Sequence, residues 1–190
     1  HALQPSCRRI VAEVAESRRI ISNLRETTSG VLSIATSHHI GLHRLPPVLR
    51  DFSKRYPEVE LQLGFMDSEE ACQQVLNGDS ELAIITLPDE DNERLETSAV
   101  WHDPLCIVVA KRHPLAAAKH LDVKQLLKHA AILPTPGTYT RKLIDAALGL
   151  DESTNILLET HYLETLKAIV QAGLGWSMLP VSMLDKTLVS

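Results

Sequence analysis

What most limits the fold of this chain is a regular alternation. From Val31 to Pro180, short apolar runs that read as strands take turns with segments of helical periodicity. The strand-like runs are GVLSIAT, VELQLGF, ELAIIT, LCIVVA, AAILP, NILLET and GWSMLP. Between them lie helices with legible starts and stops. Pro46 and Pro47 belong in a helix's first turn, because further along they would break it. Leu45, Val48, Leu49 and Phe52 are then expected to face inward, and RYP ends that helix. Asp67 or Ser68 caps the next helix, with Glu70 completing an Asp67-x-x-Glu70 capping box, Ala71, Cys72, Val75 and Leu76 inside, and Gly78 as the stop. Asp122 caps a short helix through Val123, Leu126 and Leu127. Thr138 or Thr140 opens another with Leu143, Ile144, Ala147 and Leu148 inside, and a last one carries Leu163, Leu166, Ile169 and Val170. ELAIIT and LCIVVA are continuous apolar runs of the kind buried on both faces. Repeated β-α-β units imply mostly parallel sheets with right-handed crossovers. The units fall into two runs on either side of Trp101–Leu105. That order fits two doubly wound subdomains with a cleft between them.

The segment before this alternation is different. Leu3, Cys7, Ile10, Val14, Ser17, Ile21 and Leu24 fall on one seam with steps of four and three, and charged residues lie off it. Such a helix either pairs with another helix or lies along its own domain. The expected division is a helix over 1–28, a first subdomain over 30–103 and a second over 104–190.

Composition narrows the function. With 190 residues, 44% of them hydrophobic and 23% charged, the chain is able to bury a core and is not of disordered type. A net charge of −5 is the wrong sign for gripping a phosphate backbone. Cys7, Cys72 and Cys106 are odd in number and lack CxxC spacing, so free thiols in a reducing compartment are expected. No apolar run reaches the ~18–20 residues that span a bilayer, and no signal peptide is recognisable. The chain opens with His1 and a charged helix, so a fragment of a longer cytoplasmic protein is expected.

Tests for chemistry are mostly negative. His39 and His43 are four apart, as two metal ligands on one helix turn would be, but no Glu follows in the H-E-x-x-H manner. Ser177 in GWSML lacks the last glycine of a nucleophile elbow. No P-loop occurs, and GLGWSM lacks the third glycine of a dinucleotide loop. Glu69–Glu70 and Asp89–Glu90–Asp91 read as a helix start and a solvated face. No catalytic constellation assembles, no cofactor or metal is expected, and we do not read an enzyme. The positive signal lies where strands give way to helices. Thr36–His39, Asp67–Ser68, Thr135–Thr140 and Thr160–His161 put hydroxyls or imidazoles at such junctions, and Thr86 ends a further strand. Ligands of open α/β sheets bind beyond the carboxyl ends of strands, where helix N-termini offer free N–H groups. Any one of these positions is explained by ordinary capping; their convergence points to a ligand site.

The order of GVLSIATSHHIGLHRLPPVLRDFSKRYPEVELQL, VLNGDSELAIIT, DPLCIVVAKRHPLA and IVQAGLGWSMLP, behind a heptad-bearing helix, resembles the LysR-type transcriptional regulators over nearly the whole chain. The resemblance implies an α/β fold of two doubly wound subdomains of the periplasmic-binding-protein type (type 2), preceded by a linker helix. It implies a small polar or anionic effector in the cleft, self-association as a dimer or tetramer, and promoter DNA reached through an upstream domain that is not in this chain. The chain departs from the family pattern at Ser190, where it is expected to stop before the strand and helix that usually return to the first subdomain. Matched position by position, the resemblance implies effector contacts from Ser37, His38 and His39 after the first strand, Ser68 at the cap of the second helix and Thr86 at the end of the strand that follows. In the second subdomain it implies Thr138 in its loop and His161 at the start of the last helix. ATSHH resembles the Thr-rich loop of members that sense sulfur-containing anions, with His39 where a hydroxyl is common. The redox cysteine pair of the family's peroxide sensors has no counterpart near PTPGTYTR, so thiol sensing is not expected.

A solute-binding protein of a transporter, which shares the fold, is the alternative. The free cysteines and the heptad helix argue against it, as does the lack of a signal peptide. An enzyme on a similar two-lobed fold is a third reading, and fold alone does not decide among them.

Overall fold

The computed structural model describes residue 14 and residues 28–87, 92–118 and 120–190. Apart from helical, exposed Val14, the Leu3-to-Leu24 seam lies outside the described residues, as do Cys7 and the acidic Asp89–Glu90–Asp91 run. The chain forms two compact units, one holding the segment up to Thr86 and the other the segment from Thr97 to Ser190.

In the first unit, β1 (Gly30–Ser37) leads into α1 (His38–His43) and α2 (Leu45–Arg55). Then follow β2 (Val59–Met66), α3 (Ser68–Asn77) and β3 (Leu82–Ile84). The sheet order is β2-β1-β3 and all pairs are parallel. Ser37 pairs with Met66, and Thr36 faces both Phe65 and Ile84, so the three strands end at one level. Arg44 separates α1 from α2, and Pro46 and Pro47 fall in the first turn of α2, where their missing N–H groups have no carbonyl to serve. Gly78 ends α3 at φ 76, and its N–H and that of Asp79 bond back to Val75 and Gln74. Any side chain would strain that left-handed turn.

Three expectations for this unit need correction. Val48 does not face inward: it is 46% exposed, while Leu45 is buried and Leu49 and Phe52 are half-buried. At 100° per residue Val48 sits at the edge of the stripe the other three share. Asp67 has N-cap backbone geometry, but its carboxylate makes no capping bond to α3. ELAIIT yields a strand of only three residues, all half-buried, because among the described residues it pairs with β1 on one side alone.

The second unit holds β4 (Leu105–Ala110), a 3-10 turn (Pro114–Ala117), α4 (Val123–Leu126), β5 (Ala131–Pro134), α5 (Tyr139–Leu148), β6 (Ile156–Thr160), α6 (Leu163–Gln171), β7 (Trp176–Pro180), a second 3-10 turn (Val181–Met183) and β8 (Leu188–Val189). The sheet order is β6-β5-β7-β4-β8. β5 runs parallel to β6 and β7, whereas β4 runs antiparallel to β7 and β8, so the sheet is mixed. Strand alternation splits the core. Val108, Ile132 and Leu179 meet α6 through Leu163, Leu166 and Val170 on one face. Val109, Leu133, Trp176 and Met178 meet α5 and α4 through Ile144 and Leu126 on the other. Strand β8 carries no strand-like run in the sequence. It is set by Asp185, whose carboxylate accepts from Thr187 N at 2.8 Å and from Lys167 Nζ of α6 at 2.9 Å. At the unit's entrance, Asp103 accepts from Ser182 N at 2.9 Å, and the Pro104 carbonyl accepts from Val181 N at 3.0 Å. Cys72 is buried as expected; Cys106 is only half-buried, with its thiol donating to the Leu179 carbonyl at 3.5 Å. Burial, and secondarily the Asp103 charge, push the Cys106 thiol pKa up.

Candidate functional site

The strand ends of the first unit gather hydroxyls and an imidazole. Thr36, Ser37, His39 and Ser68 are all buried. Thr36 Oγ1 donates to the Ile84 carbonyl at 2.9 Å and so ties the end of β1 to the end of β3. Ser37 Oγ lies 3.5 Å from His39 Nδ1. Thr86, half-buried just past β3, donates its backbone N–H to Ser68 Oγ at 3.3 Å. Ser37, His39, Ser68 and Thr86 thus share one end of the sheet. His38 is half-buried and stands beside Phe65, ring centres 6.3 Å apart. The close seating of α1 on these strand ends needs Gly41, because a Cβ there would come within 2.4 Å of the Phe65 ring and 2.9 Å of the Thr36 methyl.

The second unit builds its strand ends from charge. Thr138 is the N-cap of α5: Oγ1 accepts from Arg141 N at 3.2 Å and donates to the Thr135 carbonyl at 3.0 Å. The Thr138 proton is therefore committed within the loop, and the hydroxyl offers a ligand only a lone pair. Arg141 is the residue that sequence reasoning missed. It is 8% exposed. Its Nη1 donates to the Pro134 carbonyl at 2.9 Å and to Glu159 Oε1 at 2.6 Å, while Nε donates to Asp145 at 2.7 Å. Burial opposes the charge, but the bonds to Glu159 and Asp145 outweigh it and hold the guanidinium pKa above its ordinary value. One signal was available: a cation in the first turn of a helix opposes the helix dipole and calls for a carboxylate partner. One cation between two carboxylates leaves the cluster with a net charge of about −1. His161 is exposed and follows Thr160, whose Oγ1 accepts from Tyr162 N at 3.3 Å.

The expected residues thus gather as two sets. Ser37, His39, Ser68 and Thr86 lie at the strand ends of the first unit, with His38 beside them. Thr138 and His161 follow the adjacent strands β5 and β6 of the second. Such sets suit capture of a polar molecule by hydrogen bonds. Among the described residues no group of three or more His, Cys, Asp or Glu side chains is placed to hold a metal ion, and no described helix is long and apolar enough to cross a membrane.

Comparison with known proteins follows the same lines. The model of the LysR substrate binding domain matches residues 25–190. A relative from Porphyra purpurea, named "Probable RuBisCO transcriptional regulator", is 31% identical over 186 residues, covering 95% of this chain and 59% of the relative. The chain therefore spans about six-tenths of the curated relatives it matches. The Synechocystis PCC6803 CcmR regulatory domain in complex with 2-PG superposes with a TM-score of 0.74 at 24% identity, covering 85% of this chain and 79% of that one. The effector binding domain of QuiR in complex with shikimate gives 0.73 at 20% identity, with the same coverage. These likenesses show the α/β fold of LysR effector-binding domains, which is that of type 2 periplasmic binding proteins. The family match covers both units, and on it this chain belongs to the LysR substrate binding domain family.

Proposed function

We propose that this chain is the effector-sensing part of a LysR-type transcriptional regulator, and that it takes a small polar or anionic metabolite at the strand ends of its two units. The observation that carries this reading is the set of buried Ser37, His39 and Ser68 with half-buried Thr86, at the carboxyl ends of β1 and β3 and the start of α3. Ser68 Oγ accepts from the Thr86 amide and keeps its own proton for a ligand oxygen. Buried hydroxyls and fixed backbone N–H groups favour an acceptor-rich ligand. The structures of QuiR with shikimate and CcmR with 2-PG support the class. In the second unit, Thr138 accepts from a ligand donor and His161 adds an exposed imidazole. An acceptor-rich group accordingly suits the strand ends of the first unit, and a donor group those of the second. The ligand acts by binding one arrangement of the two units, or of an oligomer, better than another. Promoter DNA is reached through a further domain, the heptad seam supplies self-association, and the protein works in the cytoplasm.

Thermal melting against a metabolite panel that includes shikimate and 2-PG tests this. A ligand at about 100 times its Kd adds about 2.7 kcal/mol of apparent stability. By calorimetry, Ser68→Ala and Thr86→Val are each expected to weaken binding by about 0.5–1.5 kcal/mol for a neutral hydrogen bond. Unchanged affinity in both variants would place the site elsewhere.

A further inference from the structure

Arg141 does more than neutralise its neighbours. Through one nitrogen, Nη1, it holds the Pro134 carbonyl, where β5 ends, and the Glu159 carboxylate, one residue before the end of β6. Pro134 pairs with Thr160 and Leu133 with Glu159, so this nitrogen links the last two rungs of the β5–β6 ladder. The Arg141 backbone N–H caps onto Thr138 Oγ1, and Thr138 closes the loop onto Thr135. The end of β5 and Glu159 near the end of β6 are therefore held by one side chain, whose own backbone N–H closes the loop that follows β5. We propose that Arg141 is a positioning residue: by gripping Pro134 and Glu159 at once, it locks residues 135–138 to the end of β6, so that the segments carrying Thr138 and His161 respond as one body. The consequence for an effector rests on the function proposed above; the coupling itself does not.

A rigid spacer of this kind sets the distance between a cap hydroxyl and an imidazole that no residue of either loop fixes alone. Asp145 is a third partner of Arg141, on its own helix four residues on. It orients the guanidinium without touching either loop, which makes it the internal control.

The test is amide hydrogen exchange on the whole chain, wild type against Glu159→Gln, Arg141→Lys and Asp145→Asn. The reporters are Arg141 and Lys142, bonded to Thr138, for the first loop, and Tyr162, bonded to Thr160, for the second. Trp176, bonded to the Ala130 carbonyl, reports on the core. Glu159→Gln and Arg141→Lys are expected to speed exchange about tenfold in both loops together, with Trp176 unchanged and Asp145→Asn quiet. Lysine keeps the charge but lacks the planar fork, so it does not restore the lock. Loosening of one loop alone, of neither, or of the core to the same degree would overturn the proposal. Adding 2-PG or shikimate separates the two readings. A probe that binds wild type is expected to lose about tenfold in affinity in Glu159→Gln. If neither probe binds wild type, that counts against the effector reading, while the exchange result still decides the coupling.

Discussion

The two units use the same strand-to-helix crossovers but close their strand ends by different means. The first fills them with hydroxyls and an imidazole, from Thr36, Ser37, His39 and Ser68, each within a few residues of its strand. Its apolar cover is partial: Leu42, Val48 and Phe65 stay exposed around a three-stranded sheet. The second encloses its sheet on both faces and ties its strand ends with a buried arginine between two carboxylates. A loop built from hydroxyls on a partly covered sheet has neutral ties of the kind Thr36 makes to Ile84. A loop held by a three-partner guanidinium on a filled core is tied by charge as well. The difference assigns the stiffer strand ends to the second unit.

The glycines that allow close packing break or sharpen this comparison most strongly. A Cβ on Gly175 would lie 2.2 Å from the Ala130 carbonyl oxygen, the acceptor of the Trp176 N–H. That oxygen is backbone just before β5, fixed by its bond from Trp176, and it is not the far end of a side chain that can swing aside. Gly175→Ala is expected to destabilise the protein by about 3 kcal/mol or more. Gly41→Ala meets the Phe65 ring, which is 50% exposed and free to swing, and the Thr36 methyl. Its overpacking, offset by the helix preference of alanine, should leave a net loss of about 1 kcal/mol. Urea unfolding of both variants reads the difference. A larger loss at Gly41 would reverse the assignment of the stiff unit.

Next in size is the charged tie. Arg141→Ala abandons Glu159, Asp145 and the Pro134 carbonyl together. Both carboxylates keep some contact with solvent, so the loss should fall below that of a fully buried pair, at about 2 kcal/mol. Its counterpart in the first unit, Ser68→Ala, removes one acceptor for the Thr86 amide and should cost about 1 kcal/mol. Equal losses in denaturant melts would mean that the charged tie holds the fold no more firmly than the hydroxyl.

How much of this was legible follows from where each signal resides. Pro46 and Pro47 and the stop at Gly78 act through their own backbone, so reading them needs no knowledge of partners. The Thr138 cap was legible for the same reason, because a cap is a local event, whereas Thr36 and Ser68 bond to Ile84 and Thr86 across the fold. The Arg141–Glu159 pair joins residues 18 apart, and nothing in either neighbourhood names the other. Strand β8 depends on an Asp185 held by a lysine of α6, and the antiparallel course of β4 depends on β7 lying beside it. Val48 failed because an apolar residue at the edge of a stripe is covered only if another element reaches it. What stayed hidden was pairing at a distance, and the chemistry of the second unit's strand ends is mostly that.

The imidazoles extend the comparison to acid. His113 accepts the Leu115 N–H on Nδ1, capping the 3-10 turn, with the His129 ring 5.0 Å away. Burial first, and the His129 charge second, lower the His113 pKa. A lowered value in the fold means that the unfolded chain takes up its proton first as pH falls. The stability contributed by neutral His113 is therefore complete above the unfolded value of about 6.5 and is lost as pH drops through that value toward the folded one. His113→Asn keeps a capping acceptor and removes the titration. It is expected to match wild type at neutral pH and to show less loss of stability below about pH 6. The same acid slope in both proteins would assign it to other groups.

The smallest effect concerns a hydroxyl that the second unit does not use. Ser177 is the second residue of β7, sits opposite Val108 and is fully buried. Its Oγ has no hydrogen-bond partner among the described residues. It contrasts with Ser68, whose oxygen is also buried but receives the Thr86 amide. Desolvating a hydroxyl without a partner costs free energy that an alanine methyl does not. Ser177→Ala is therefore expected to leave stability unchanged or raise it by up to about 1 kcal/mol, although most substitutions at fully buried positions lower it. Paired melts of Ser177→Ala and Ser68→Ala decide the point. A loss of about 1 kcal/mol or more at Ser177 would show that its hydroxyl does find an acceptor, and that the filled unit also carries a neutral polar tie.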